Sequence, residues 1–123
     1  MNAVLDTNIL IDFLQGHLPA KREMKRYEQP AISLITWMEI LVGSRTDDED
    51  LKLRNFLATF RLLHIDNEVA ELAVTLRKTY RLRLPDAMIW ASAKTLNMLL
   101  VTRNTRDFPS TDPSIRIPYQ LKP

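Results

Sequence analysis

Apolar positions along this chain follow two different rhythms. Short apolar runs alternate with longer stretches in which apolar residues return every three or four positions. The runs Ala3–Asp6, Ala31–Ile35, Arg61–Ile65, Met98–Thr102 and Ile115–Ile117 have the length and β-rich composition of buried strands. Ile9, Leu10, Phe13 and Leu14 predict a helix closing at Gly16, and Lys21–Tyr27 a short polar helix after Pro19. Thr36 is placed to cap a helix carrying Met38, Ile40 and Leu41, which stops near Gly43-Ser44. A helix over Asp47–Phe60 aligns Leu53, Phe56, Leu57 and Phe60. Another, capped by Asp66 or Asn67 and reaching Tyr80, aligns Val69, Leu72, Ala73 and Leu76. Pro85 suits a first turn, where its missing N–H is not needed, and Asp86–Asn97 continues that helix. Its small residues Ala87, Ala91 and Ser92 permit close approach to a sheet. Arg103–Phe108 reads as a turn. Strands alternating with amphipathic helices predict the α/β class, a Rossmann-like three-layer α/β/α sandwich around a mostly parallel sheet.

Composition narrows the picture. With 123 residues, 46% of them hydrophobic and 26% charged, the chain has enough apolar side chain for one core, so a single domain over residues 1–123 is expected. The absence of cysteine excludes disulfides, a thiolate zinc site and a cysteine nucleophile. No apolar run is long enough to span a bilayer, and no basic stretch precedes Val4-Leu5-Asp6, so a cytoplasmic location without a membrane partner is expected. A net charge of +2, from 17 basic and 15 acidic residues, permits a nucleic-acid partner without demanding one. Its distribution says more: Lys21, Arg22, Lys25 and Arg26 cluster, as do Arg77, Lys78, Arg81 and Arg83, and also Arg103 and Arg106. Any one cluster alone is adequately explained as a solvated helix face.

In parallel α/β folds, ligands bind outside the carboxyl ends of the strands. Asp6 closes the first strand, and Thr7 and Asn8 open the next helix. Thr36 and Glu39 follow the second strand, Asp86 sits in a first helical turn, and Thr102, Asn104 and Asp107 follow Met98–Val101. Each acid has an ordinary alternative role: Asp6 as a helix cap, Glu39 on a solvent face, Asp86 favoured by a helix dipole, Asp107 in a turn. Four acids on one rim would repel one another unless a cation compensates. Oxygen donors without His or Cys favour Mg²⁺ or Mn²⁺ over zinc. A hard dication beside basic patches suits phosphodiester hydrolysis by metal-activated water.

Val4-Leu5-Asp6-Thr7-Asn8, the segment Ser33–Leu41 with Glu39, Leu84-Pro85-Asp86-Ala87-Met88-Ile89, and Val101-Thr102-Arg103-Asn104-Thr105-Arg106-Asp107-Phe108 resemble, in order and spacing, the four motifs of PIN-domain ribonucleases. With the chain length, they are similar to VapC-like toxins of toxin–antitoxin modules. The resemblance implies a Mg²⁺- or Mn²⁺-dependent endoribonuclease acting on RNA, a homodimer and a cognate antitoxin. It implies Asp6, Glu39 and Asp86 as the core metal-binding and catalytic acids, with Thr7, Asn8 and Thr102 supporting them. The last motif departs from the commoner form. Asn104 stands where an acid two residues after the threonine is usual, and Asp107 supplies the acid, as in a subset of the family.

Other chemistries fit less well. A haloacid-dehalogenase-like phosphatase needs a second Asp two residues after the first, where this chain has Asn8. A response-regulator receiver needs paired acids after strand one and a lysine after a late strand, and neither is present. A catalytically degenerate RNA-binding module would need the basic clusters but not the acids. Arg77, Lys78, Arg81 and Arg83, which lead into Asp86, are the expected RNA-backbone contacts. His64, read as part of Leu62–Ile65, and His17 are read as structural. Trp37 and Trp90 are read as core or dimer contacts, and the dimer face is expected around Trp37–Leu41 and Leu51–Phe60.

Overall fold

The computed structural model describes residues 2–121. Five strands, β1 (Ala3–Leu5), β2 (Ala31–Ser33), β3 (Arg61–Leu63), β4 (Leu99–Val101) and β5 (Ile115–Arg116), form one sheet in the order β3-β2-β1-β4-β5. Every pairing is parallel, so the sheet is wholly and not just mostly parallel. The helices are α1 (Thr7–Leu14), α2 (Leu18–Met24), α3 (Leu34–Val42), α4 (Asp47–Leu57), α5 (Asn67–Tyr80) and α6 (Leu84–Thr95).

The strand period of two divides the apolar residues between two cores. Val4, Ala31, Leu63 and Leu100 face a cluster with Val69, Ala73, Leu76, Ile89 and Trp90 of α5 and α6. Ala3, Leu5, Ile32 and Val101 face the other, with Ile9, Leu10, Ile40 and Leu57 of α1, α3 and α4. Both sheet faces are therefore covered, which is why the strands are apolar throughout. The chain winds outward from β1 through β2 to β3, then returns to place β4 on the other side of β1. That reversal puts the topological switch between the carboxyl ends of β1 and β4, the place where folds of this class bind ligands.

Several boundaries differ from the sequence expectation. Ser33, not Thr36, caps α3: its hydroxyl accepts from Ile35 N–H at 3.1 Å, so Leu34 and Ile35 are helical rather than strand. A serine with extended backbone satisfies the first-turn N–H groups as well as a threonine three residues later would, and the apolar pattern cannot tell them apart. Thr36 is instead buried in the helix. β3 stops at Leu63, leaving His64 exposed beyond the strand. α2 starts at Leu18 and takes Pro19 into its first turn, and α6 starts at Leu84 with Pro85 likewise placed. Asp66 is the cap of α5, accepting from Val69 N–H at 2.9 Å. Trp90 lies wholly within the core, against Tyr80 and Phe108, its indole N–H donating to Ser114 at 3.0 Å.

Candidate active site

Register assembles the site. Leu5 pairs with Val101, so the next residue of each strand, Asp6 and Thr102, emerges side by side at the switch point. The Asp6 N–H continues the ladder to Val101 C=O at 2.9 Å. Its carboxylate is buried and accepts from the Thr7 N–H at 2.7 Å, the Thr102 hydroxyl at 2.8 Å and the Asn8 carboxamide at 3.3 Å. Asp6 is thus the cap of α1 and also the centre of a polar cluster. Asn8 donates in addition to Thr102 Oγ1 at 3.1 Å, and its oxygen accepts from the Arg103 N–H at 3.1 Å.

Thr7 links this group to α3. Its hydroxyl lies 2.7 Å from Glu39 Oε1 and 3.0 Å from Thr36 Oγ1. Glu39 is exposed, so the solvent-face reading of that residue is correct, yet it is held toward the rim by Thr7. Asp86 is buried at the start of α6 and accepts from Arg83 Nε at 3.4 Å. Beyond β4, Asn104 and Asp107 grip each other: Asn104 Nδ2 donates to Asp107 Oδ2 at 3.0 Å, while the Asp107 N–H donates to Asn104 Oδ1 at 3.1 Å. The residue that departs from the commoner motif is therefore the one that orients the remaining acid.

The acids feel one another. Burial pushes the Asp6 carboxyl up to about 6, against the lowering by Thr102 and the Thr7 N–H, and the charges of Asp86 and Glu39 add to the rise. Burial also raises Asp86; Arg83 offsets part of this, and Asp107 and Glu39 reinforce it. Among the described residues, no three His, Asp or Glu side chains stand close enough to form a ready-made metal cage. The donor set still suits a hard dication. Mg²⁺ keeps several waters and uses only one or two direct carboxylates, and the buried, mutually repelling acids have charge to be neutralised.

A pH dependence follows from the position of Asp6. Its folded value of about 6 exceeds the ordinary 3.8, so between these the folded state holds a proton that the unfolded state has lost. Metal-free stability should therefore fall as pH rises from about 4 to about 6, by on the order of 2–3 kcal/mol, and stay low above that. Asp86 acts in the same direction. Thermal unfolding in excess chelator across this range checks it, and an unchanged or rising melting temperature from about pH 5 to 7 would refute it.

Of the basic residues expected at the site, Arg77 and Lys78 lie in the last turn of α5, and Arg81 closes that helix in the left-handed region with φ 56°. All three are exposed; Arg83 alone touches an acid of the rim. Asp12 lies outside the residues expected at the site. It is buried in α1, accepting from Arg103 Nε at 2.7 Å and Nη2 at 3.0 Å and from the Tyr119 hydroxyl at 2.8 Å. This ties the segment after Thr102 to α1. The one available signal was an acid three residues after Ile9 on the inward stripe, in a chain with a late arginine.

The PIN domain family model matches residues 3–112. A chain of a toxin–antitoxin complex from Klebsiella pneumoniae is 43% identical, with TM-score 0.90 over 97% of this chain and 99% of that one. FitAcB from Neisseria gonorrhoeae is 24% identical, with TM-score 0.78 over 97% and 99% of the two chains. VapBC2 from Rickettsia felis, solved with a DNA fragment from its promoter, is 21% identical, with TM-score 0.77 over 94% and 96%. No curated protein matches the chain in sequence.

Proposed function

The chain belongs to the PIN-domain family, and on that premise we propose that it is the toxin of a toxin–antitoxin module, an endoribonuclease that hydrolyses RNA phosphodiester bonds with Mg²⁺ or Mn²⁺. The observation that carries this reading is the buried Asp6 at the β1–β4 switch, repelled by acids from two other segments. An acid kept only as a helix cap gains nothing from such neighbours. The likeness to a chain of a toxin–antitoxin complex supports the antitoxin partner.

Asp6, Asp86, Asp107 and Glu39 are the residues that would hold the ion. When bound, it supplies an activated water and neutralises charge on the attacked phosphate. The chain does the positioning. The Thr7 N–H, Thr102 and Asn8 fix both oxygens of Asp6, Thr7 holds Glu39, and Asn104 holds Asp107. Arg83 lies against Asp86 and offsets part of its charge. Arg77, Lys78, Arg81 and Arg83 extend positive charge along the approach to Asp86, where an RNA backbone would pass.

The direct test is incubation of the purified protein with a panel of RNAs in Mg²⁺, in Mn²⁺ and in excess EDTA. Cleavage confined to the metal-containing reactions is expected; equal cleavage in EDTA refutes the metal mechanism.

A homodimer is part of the same proposal. Ile40, Leu57 and Phe60 of the expected dimer face are consumed by the protein's own core. Met38, Val42 and Leu51 stay exposed, Val42 at 84%, and Ile11 and Leu14 of α1 add to them. An apolar set of this kind is typical of an interface. Light scattering at tens of micromolar should give twice the 14.3 kDa chain mass, and a monomer there would count against it.

A further inference from the structure

Beside the acid rim lies a cleft of about 480 Å³ lined by Asn8, Arg103, Asn104, Thr105 and Arg106. Two of these residues are bonded directly to acids of the site, Asn8 to Asp6 and Asn104 to Asp107. No carboxylate lines the cleft itself. Its charge is unspent as well. Arg103 gives Nε and Nη2 to Asp12, leaving Nη1 without an acceptor among the described residues. The Arg106 guanidinium makes neither an ion pair nor a hydrogen bond among them, and only its backbone N–H is engaged, by Asn104 Oδ1 at 3.2 Å. That last bond matters, because Asn104 fixes the backbone from which Arg106 projects and orients Asp107 at the same time. One carboxamide thus sets a cation and an acid in a constant relation.

We propose that this cleft is a phosphate subsite for the RNA strand, next to the reacting phosphodiester, with Arg106 as its main charged contact and Arg103 and Thr105 as further donors. The inference rests on the nuclease reading above and adds a second anchor. With Arg83 at Asp86 and Arg106 on the Asn104-held turn that carries Asp107, two of the segments that supply acids also supply a cation, and a strand held by both would lie across the rim. An anionic backbone needs such anchors because the acids that bind the ion repel it until the ion is present. Arg103 is committed to holding the segment to α1, so Arg106 is the residue whose removal tests the subsite without loosening the fold.

The experiment measures binding of a short labelled single-stranded oligoribonucleotide of mixed sequence, as a function of salt, in a cleavage-dead Asp6→Asn background. Arg106→Gln should weaken binding roughly five- to tenfold and reduce the salt slope by about 0.7. Arg106→Lys should keep most of the affinity, since a point charge still binds phosphate. Arg61→Gln, at the opposite end of the edge strand β3, should behave as the parent. With Asp6 intact, the rise in melting temperature caused by Mg²⁺ should be the same in Arg106→Gln and the parent. Equal losses in Arg106→Gln and Arg61→Gln would overturn the subsite, leaving a net-charge effect only. An Arg106→Gln protein that binds like the parent would also overturn it, even where the parent cleaves RNA with metal. A parent that cleaves nothing, yet loses RNA affinity in Arg106→Gln, would refute the nuclease reading and leave the subsite standing.

Discussion

Asp6→Asn is expected to reduce metal-dependent RNA cleavage by about 100- to 1000-fold and, without metal at neutral pH, to raise the melting temperature. The two effects have one cause. Asp6 sits buried at the carboxyl end of β1, with its carboxyl pushed up to about 6 by that burial and by Asp86 and Glu39. At pH 7 it is ionised in a place that disfavours charge, a cost carried only because the charge is used. Asparagine keeps the oxygen that caps α1 through the Thr7 N–H, while its Nδ2 replaces the oxygen that accepts from Thr102 and Asn8, so those two bonds are given up in exchange for removal of the buried charge. The fold therefore survives while a ligand for the ion is lost. The variant should also flatten the pH dependence of metal-free stability, because its side chain does not titrate. Loss of activity together with lower stability would instead mean that Asp6 is structural. Stabilisation with activity retained would move the chemistry elsewhere.

Asp12→Ala should destabilise the protein by about 3 kcal/mol, which for a domain of this size lowers the melting temperature by roughly 10 °C. Asp12 is 2% exposed and accepts three hydrogen bonds from two residues, Arg103 and Tyr119. Removing it strands a guanidinium that is only 30% exposed and a phenol whose proton burial and Asp12 hold well above its ordinary range. Lys52→Ala breaks a pair whose partners are 75% and 74% exposed, and should move the melting temperature by only about a degree or two. Because Arg103 directly follows Thr102 and its N–H is held by Asn8, Asp12→Ala should also lower the turnover of the folded fraction. An effect no larger than that of Lys52→Ala, read by thermal unfolding, would show that Arg103 finds water as easily as it found Asp12.

Much of this was legible along the chain. The alternation of apolar runs and amphipathic stretches predicts the α/β class, and all five expected runs are strands, each ending within two residues of its expected end. The ends of apolar runs single out Asp6, Glu39 and Asp107 as candidates, and a first helical turn singles out Asp86, because both kinds of position lie at the rim of a parallel sheet. At the cap of α3, neighbouring Ser and Thr offer equivalent local bonds, and only the tertiary structure selects Ser33.

Pairing across the chain was another matter. That Leu5 lies beside Val101 is a choice among several strand orders, and it alone brings Thr102 within 2.8 Å of Asp6. The link between Asn104 and Asp107 spans only three residues, yet its value comes from where β4 delivers that turn. The bonds from Asp12 to Arg103 and Tyr119 reach 91 and 107 residues along the chain. Periodicity reports which face of an element is buried, because that depends on local geometry. Which element it is buried against depends on the closure of the whole chain, and here that closure set Thr102 against Asp6 and Thr7 against Glu39.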